Sequence, residues 1–254
     1  KENPQVRTER IKYEQELGVD YIEAREILDV NAQLIDLKKL ANSHLPSKLN
    51  RDLSGLKNSD AVILNIDYPL GFGAYMVLST VLQFVDQIKG IYILGKASFL
   101  NGKLGDIALP VRIFDEHSKN TYIFKNAFTK KYLEKYEGNS ILTNQNAVST
   151  KGTLLHPEES LKNHFRNGYT VLEMENGPYL NAVFEMTNYK RYPERKTLSL
   201  IDLPFDLGII HYASDTPFTK AISLGTRNLG YDGVEPTYNS SLAILERIVD
   251  VELG

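Results

Sequence analysis

Two segments of this chain place carboxylates where they could do chemistry. The first is Tyr169-Thr170-Val171-Leu172-Glu173-Met174-Glu175-Asn176-Gly177-Pro178-Tyr179. Tyr, Thr and Val favour a pleated strand and Gly177-Pro178 stops it, so both acids stand at the end of a short, mostly apolar element. Strand alternation puts Glu173 and Glu175 on one face and Met174 on the other. Two like charges so close call for something to take one of them, and a bound polyol would serve. The same residues also fit an ordinary exit into a solvated turn. The second segment, Leu203 to Pro217, has the same design. An apolar run ends in Ser214-Asp215, and Pro217 opens a helix. Open α/β sheets bind ligands at the carboxyl ends of strands, and each segment delivers an acid to such an end.

A third stretch lies upstream. Gly71-Phe72-Gly73-Ala74 precedes an apolar helical pattern, followed by Gly90-Ile91-Tyr92-Ile93-Leu94-Gly95-Lys96-Ala97-Ser98 and by Asn101 to Pro110. Together with Met174-Glu175 and the later Ser214-Asp215, this order of motifs resembles the purine nucleoside phosphorylase and nucleosidase superfamily, enzymes that cleave the N-glycosidic bond of nucleosides. The resemblance runs from about residue 60 to about residue 248. It implies a nucleoside phosphorylase-like α/β fold, a three-layer αβα sandwich around a central mixed β-sheet. It also implies that Glu175 accepts the ribose 2′- and 3′-hydroxyls, that Met174 packs under the sugar, and that Asp215 is the catalytic acid donating to purine N7. Gly95, Lys96, Ala97 and Ser98, with Ala147, Val148 and Ser214, would surround the base. Lys96 reads equally as an anion contact or a surface lysine. Arg227, in a Gly-Thr-Arg-Asn setting, reads as a phosphate contact or a solvated arginine. Free Asp ionises near pH 3.9, so Asp215 needs burial to hold a proton at neutral pH, against the pull of a following helix N-terminus.

The departures from the family concern the nucleophile. Phosphorylases carry an early Gly-Asp-Pro-x-Arg type loop and an arginine on the strand before Gly95. The first is absent here, and Ile93 occupies the second position. Water is therefore the favoured nucleophile, although the water-activating glutamate of the nucleosidases has no counterpart that can be aligned. Phosphorolysis, or a catalytically silent domain that binds a nucleoside or nucleotide, are the alternatives.

Composition is compatible with this chemistry and narrows the rest. The 254 residues are 42% hydrophobic with a net charge of −3, enough for one sizeable core and without the basic footprint of a nucleic-acid or membrane-surface binder. No apolar run approaches the length of a spanning helix. There is no Cys, and the five His, at 44, 117, 156, 164 and 211, show no two-ligand spacing, so neither metal nor cofactor is expected. The expected partner is a small-molecule nucleoside or nucleotide, with a homo-oligomer, dimer or higher, as the assembly. The cytoplasm is the default compartment. The sequence begins at Lys1, which leaves an upstream targeting segment open.

The elements that must position these residues follow from periodicity. Residues 1–59 read as a helical extension and linker, and residues 60–254 as the nucleoside phosphorylase-like domain. Residues 1–18 show little periodicity, Val19 to Leu45 reads as a long amphipathic helix or broken pair, and 43–59 as a loop. Ala61 to Ile66 reads as a strand buried on both faces, and Ala74 to Ile88 as the helix after it. Gly71 and Gly73 could suggest a dinucleotide loop, but the third glycine is absent, and close helix-to-strand packing explains them equally well. Ile91 to Leu94 is the next strand, with Gly95 to Leu100 as the loop at its end, and Asp106 tying a turn. A strand pair within 111–138 leads into a helix at Thr129 to Tyr136. A strand from Ile141 to Ser149, helices at Pro157 to Phe165 and Leu180 to Thr187, a strand at 207–213 and a closing helix from Ser240 to Val251 complete the pattern.

Overall fold

The computed structural model of the chain describes residues 3–24, 30–43, 45–49, 51–136, 138–152, 158–218 and 233–254. Two compact units emerge, one of Lys1–Pro69 with Glu246–Gly254 and one of Leu70–Leu245.

The first unit opens with helix α1 (Pro4–Glu16). Asn3 caps it by accepting the Gln5 N–H at 3.0 Å, and Pro4 occupies the first turn, where an N–H has no helical partner. The helix is polar all round and carries an Arg10–Glu14 ion pair at i,i+4, so it leaves no apolar period in the sequence. Strands β1 (Val19–Ile22), β2 (Ala32–Asp36) and β3 (Val62–Ile66) then form an antiparallel sheet in that order. A four-residue helix, α2 (Leu37–Leu40), starts where the Asp36 side chain accepts the Lys38 and Lys39 N–H groups.

The helix expected over Val19 to Leu45 is thus mostly a β-hairpin layer. Apolar residues are dense enough there to satisfy helical spacing, but Val19, Tyr21, Ile22 and Ile35 suit a pleated surface and cross-strand pairing decides the outcome. Residues 25–29 lie outside the described residues. β3 differs too: it belongs to this small sheet, and Val62 is 60% exposed, so the strand is not buried on both faces. Leu53, Leu56 and Val249 form the core of the unit.

The second unit contains α3 (Gly73–Phe84), β4 (Gly90–Phe99), β5 (Ile107–Asp115), β6 (Thr121–Phe124), α4 (Lys130–Leu133), β7 (Ile141–Ser149) and α5 (Glu158–Arg166). It continues with β8 (Val171–Glu173), α6 (Asn176–Asn188), β9 (Thr197–Leu200) and β10 (Asp206–Asp215). The last helix, α7 (Val234–Leu253), begins in this unit and ends in the first. Seven strands make one mixed sheet in the order β10-β4-β8-β7-β5-β6-β9. The neighbours β10/β4, β8/β7, β7/β5 and β6/β9 run parallel, and β4/β8 and β5/β6 antiparallel. A further antiparallel pairing of β10 with β5, at His211 and Tyr212, closes five of the strands into a ring.

Phe99, Ala108, Ile113, Tyr122, Val171, Leu180, Val183 and Ile209 lie at the centre of the main apolar cluster. Each large apolar side chain buried there contributes roughly 1.5–3 kcal/mol. No helix among the described residues is long and apolar enough to cross a membrane.

Three local differences from the sequence reading matter for the site. Gly95 to Ser98 is strand, not loop, because β10 pairs with β4 along its whole length and satisfies the backbone of this small-residue stretch. Helix α6 begins at Asn176, so Gly177-Pro178 forms its first turn instead of separating strand from helix, and proline is tolerated there for want of an N–H partner. Asp215 ends β10 itself, and Pro217 lies in the turn beyond, while residues 219–232 fall outside the described residues.

Candidate active site

The two acid-bearing segments meet on either side of β4. Ser98 of β4 stands level with Leu172 of β8 on one side and with Asp215 of β10 on the other. Neighbouring strands are about 4.8 Å apart, so the backbones of Leu172 and Asp215 are roughly 10 Å apart across Ser98. β8 runs antiparallel to β4 whereas β10 runs parallel to it, so the two acids do not hang from one carboxyl edge, as the sequence had suggested. β8 is only three residues long, so Glu175 lies in the turn beyond it. The chain leaving it passes back along β4 toward Gly95, where Asn176 meets His211. β10 carries a register shift between Ala213 and Asp215, the kind of bulge that re-aims side chains.

Glu173 and Glu175 do not share one face as equals. Glu173 is buried and braces the turn: its Oε2 accepts the N–H groups of Glu175 and Asn176, both at 2.7 Å, and Ser149 Oγ donates to its Oε1. Ser149 Oγ in turn accepts the Gly177 N–H at 2.6 Å. Burial pushes the Glu173 carboxyl up to about 8, against the pull of these three donors and with a further upward push from Glu175. A protonated Glu173 can reverse the Ser149 bond, with the Ser149 hydroxyl hydrogen turning away and no heavy atom moving.

Glu175 is 8% exposed, and its Oε1 accepts the Gly71 N–H at 3.0 Å. Gly71 adopts φ +56°, a left-handed turn that glycine takes without cost, and a side chain there would stand 3.5 Å from Met174 Cε. The Gly-x-Gly segment therefore covers the Met174-Glu175 pair. Phe72, next to it, is 40% exposed, stacks on Tyr75 at 5.2 Å between ring centroids, and lies 5.7 Å from the His117 ring. His117 Nε2 is buried without a hydrogen-bond partner among the described residues. Deeper in, Asp115 accepts from Asn181 of α6 at 3.0 Å and from the Ser118 N–H at 3.0 Å, while the Tyr122 hydroxyl donates to Asn181. This buried set fixes the helix that follows Glu175.

On the other side, Ser214 is buried and its hydroxyl lies 3.3 Å from both the Ala97 carbonyl and Asp215 Oδ2. Asp215 is half-buried. In β4, Ala97 is buried, Gly95 and Ser98 are half-buried, and Lys96 is exposed. Ala147 and Val148 belong to β7, level with Val171 and Leu172, and expose no surface, so they back the site instead of lining it. Arg227 lies outside the described residues. Sequence reasoning missed Glu173 as a brace, Ser149, Gly71 and the Asn176–His211 pair. Of these only Gly71 left a trace, as a glycine before a helix, where backbone N–H groups suit an anion.

The fold is that of the nucleoside phosphorylase and nucleosidase superfamily. An AMP nucleosidase from Bacteroides thetaiotaomicron superposes with a TM-score of 0.56 at 14% identity, over 98% of this chain and 85% of that one. A purine nucleoside phosphorylase from Toxoplasma gondii, in complex with immucillin-H, gives 0.57 at 11% identity, over 96% and 88%. A methylthioadenosine phosphorylase from an antarctic soil metagenomic library gives 0.52 at 8% identity over 70% of this chain, which spans 64% of that protein. Among curated proteins, none matches the sequence. A family model does match, across residues 1–250 and thus through both compact units, and by that match the chain belongs to the family of unknown function DUF6909.

Proposed function

We propose that this protein cleaves the N-glycosidic bond of a purine nucleoside or nucleotide, with water as the nucleophile. The observation that carries the proposal is strand β4 with one acid-bearing segment on each flank: β8 and the turn holding the buried, hydrogen-bonded Glu175 on one side, and β10 ending in the half-buried Asp215 on the other. Across the bulge of β10, His211, the residue that meets Asn176, and Asp215 stand level with Gly95 and Ser98, three positions of β4 and roughly 10 Å apart at the rise of an extended strand. A purine nucleoside is of that dimension.

In this reading Glu175 accepts the ribose hydroxyls, Met174 packs against the sugar, and Asp215 donates a proton to the departing base as the C–N bond breaks. Water adds its hydroxyl to the anomeric carbon, and its remaining proton passes to the Asp215 carboxylate, which restores the acid. Ser98, Ala97 and Ser214 border the base. What supports hydrolysis over phosphorolysis is Ile93. Where phosphorylases place an arginine, this chain has a core isoleucine that is 9% exposed. An anion site needs backbone N–H groups or arginine, and Ile93 offers no charge.

The test is release of free base from adenosine, inosine, guanosine and their 5′-monophosphates, with and without inorganic phosphate. Base and free ribose in phosphate-free buffer are expected. Release that requires phosphate and yields ribose 1-phosphate would establish the phosphorylase instead, and binding without release the silent domain. The assembly that accompanies this proposal is a homo-oligomer, to be checked by light scattering.

A further inference from the structure

We propose that His211 is a positioning residue: as a neutral ring with its proton on Nδ1, it accepts from the Asn176 amide and so clamps the first turn of α6, and with it Glu175, against β4 and β10. The inference rests on the ribose role given to Glu175 above.

His211 is 2% exposed and Asn176 is fully buried. Nδ1 of His211 lies 3.3 Å from the Gly95 carbonyl oxygen, which can only accept, so Nδ1 carries the proton. Nε2 is then an acceptor, and the Asn176 Nδ2 group donates to it at 2.5 Å. Gly95 leaves room for the ring, since a side chain at that position would begin 3.1 Å from Nδ1. Asn176 is held at its backbone as well, through its N–H to Glu173 Oε2 at 2.7 Å. The same Glu173 oxygen takes the Glu175 N–H, so a carboxylate and an imidazole grip consecutive residues of the turn that carries the ribose carboxylate.

A histidine that merely fills space would tolerate either tautomer, whereas this one requires Nε2 to be bare. Protonation would set an Nε2–H against the Asn176 NH₂ group. The Asn176 Oδ1 atom, buried and without a hydrogen-bond partner among the described residues, is the group that could turn to meet it. The elements packed against the ring present Gly95 from β4, Ala108 from β5 and Asn176 from α6. The titratable side chains within three residues of these positions are Tyr92, Lys96, Asp106, Glu173, Glu175 and Tyr179, with Asp206, Tyr212 and Asp215 on the strand of His211 itself. Burial drives the imidazole down to about 4, consistent with a ring that stays neutral.

The test combines ¹⁵N NMR of the imidazole with binding of a carbon-linked, uncleavable adenosine analogue and of adenine alone. The wild-type ring is expected as the Nδ1–H tautomer, with no titration between pH 5 and 9. Asn176→Asp supplies an acceptor in place of the donor, and the His211 pKa is expected to rise by about two units or more. His211→Leu is expected to weaken the adenosine analogue about tenfold or more, the size of one lost hydrogen bond, while adenine binding changes less than about twofold. His211→Gln, which can still accept from Asn176 and donate to Gly95, should restore most of the loss. If His211→Leu does not fold, as judged by thermal melting, Asn176→Ala replaces it in the same comparison.

An Nε2–H tautomer, an ordinary titration in the wild type, an unchanged nucleoside affinity or an equal loss for nucleoside and adenine would each overturn the clamp. A wild-type protein that binds no nucleoside would instead sink the proposed function and the ribose role of the clamp together. The tautomer and the Asn176→Asp shift, read without ligand, then tell whether the pairing itself stands.

Discussion

Glu175 and Asp215 are supported very differently, although one follows and the other ends a strand beside β4. Glu175 is 8% exposed, accepts from Gly71, and stands on a turn held by Glu173, Ser149 and Asn176. Asp215 follows a bulge, is half-buried, and is met by the Ser214 hydroxyl at 3.3 Å. The contrast suits the division of labour proposed for them. A group that orients a sugar works best when fixed beforehand. A carboxyl that must hold and then release a proton gains from an environment that the substrate itself completes. Under the proposed function, one end of the site is built by the fold, and the other is finished by the substrate.

Substitutions can break or sharpen that contrast. The largest effect is expected from Asp215→Asn, which removes a general acid and should lower kcat by about 10²- to 10⁴-fold while the Kd of an uncleavable nucleoside stays nearly constant. A parallel loss of binding, measured by calorimetry, would move Asp215 from acid to binding group. Next comes Glu175→Gln. Losing a charge-assisted hydrogen bond should weaken nucleoside binding by about 1.5–3 kcal/mol and leave the free base unaffected. Equal weakening of nucleoside and base would separate Glu175 from the sugar.

Glu173→Gln probes the brace through pH. The folded Glu173 carboxyl is raised to about 8 from its model-peptide value of 4.5, so the folded state binds the extra proton. Its stabilisation is full below pH 4.5 and is lost as pH rises toward and through 8, at up to about 1.4 kcal/mol per pH unit. Gln keeps an acceptor for the two N–H groups and cannot ionise. Denaturant titrations from pH 5 to 9 should therefore show a shallower decline for the variant. Identical slopes would mean that Glu173 is ionised throughout, as its donors alone would favour. The smallest effect is expected from Ser214→Ala, about 1 kcal/mol in stability for the bond to the Ala97 carbonyl, with kcat reduced severalfold at most. A loss as large as that of Asp215→Asn would place Ser214 in the proton transfer itself.

The sequence made the second unit far more legible than the first. Apolar helical period marks α3, and β-branched and aromatic runs mark β4, β8 and β10, since these elements are buried by the sheet they build. In the first unit α1 is polar on every side, and β1 and β2 are four and five residues long, too short for alternation to stand out from helical spacing. At the site, Met174-Glu175 and Ser214-Asp215 could be picked out because their neighbours in sequence are also their neighbours in chemistry. The bracing could not. Ser149 and Glu173 are 24 residues apart, and Asn176 and His211 are 35 apart. Their meeting depends on β8 lying between β7 and β4, an order of strands that no local pattern encodes.

The closure of β10 onto β5 has a consequence for how this molecule exchanges its amide protons. Among the described residues, strands β4, β5, β7, β8 and β10 each have a neighbour on both sides, whereas β9 pairs with β6 alone. Opening any strand of the ring breaks two ladders at once, so their amides should exchange together in the slowest class. β9 should exchange first. The seam itself is narrow, only Ala108 with His211 and Ile107 with Tyr212, so a loosened ring would part at the level of the imidazole.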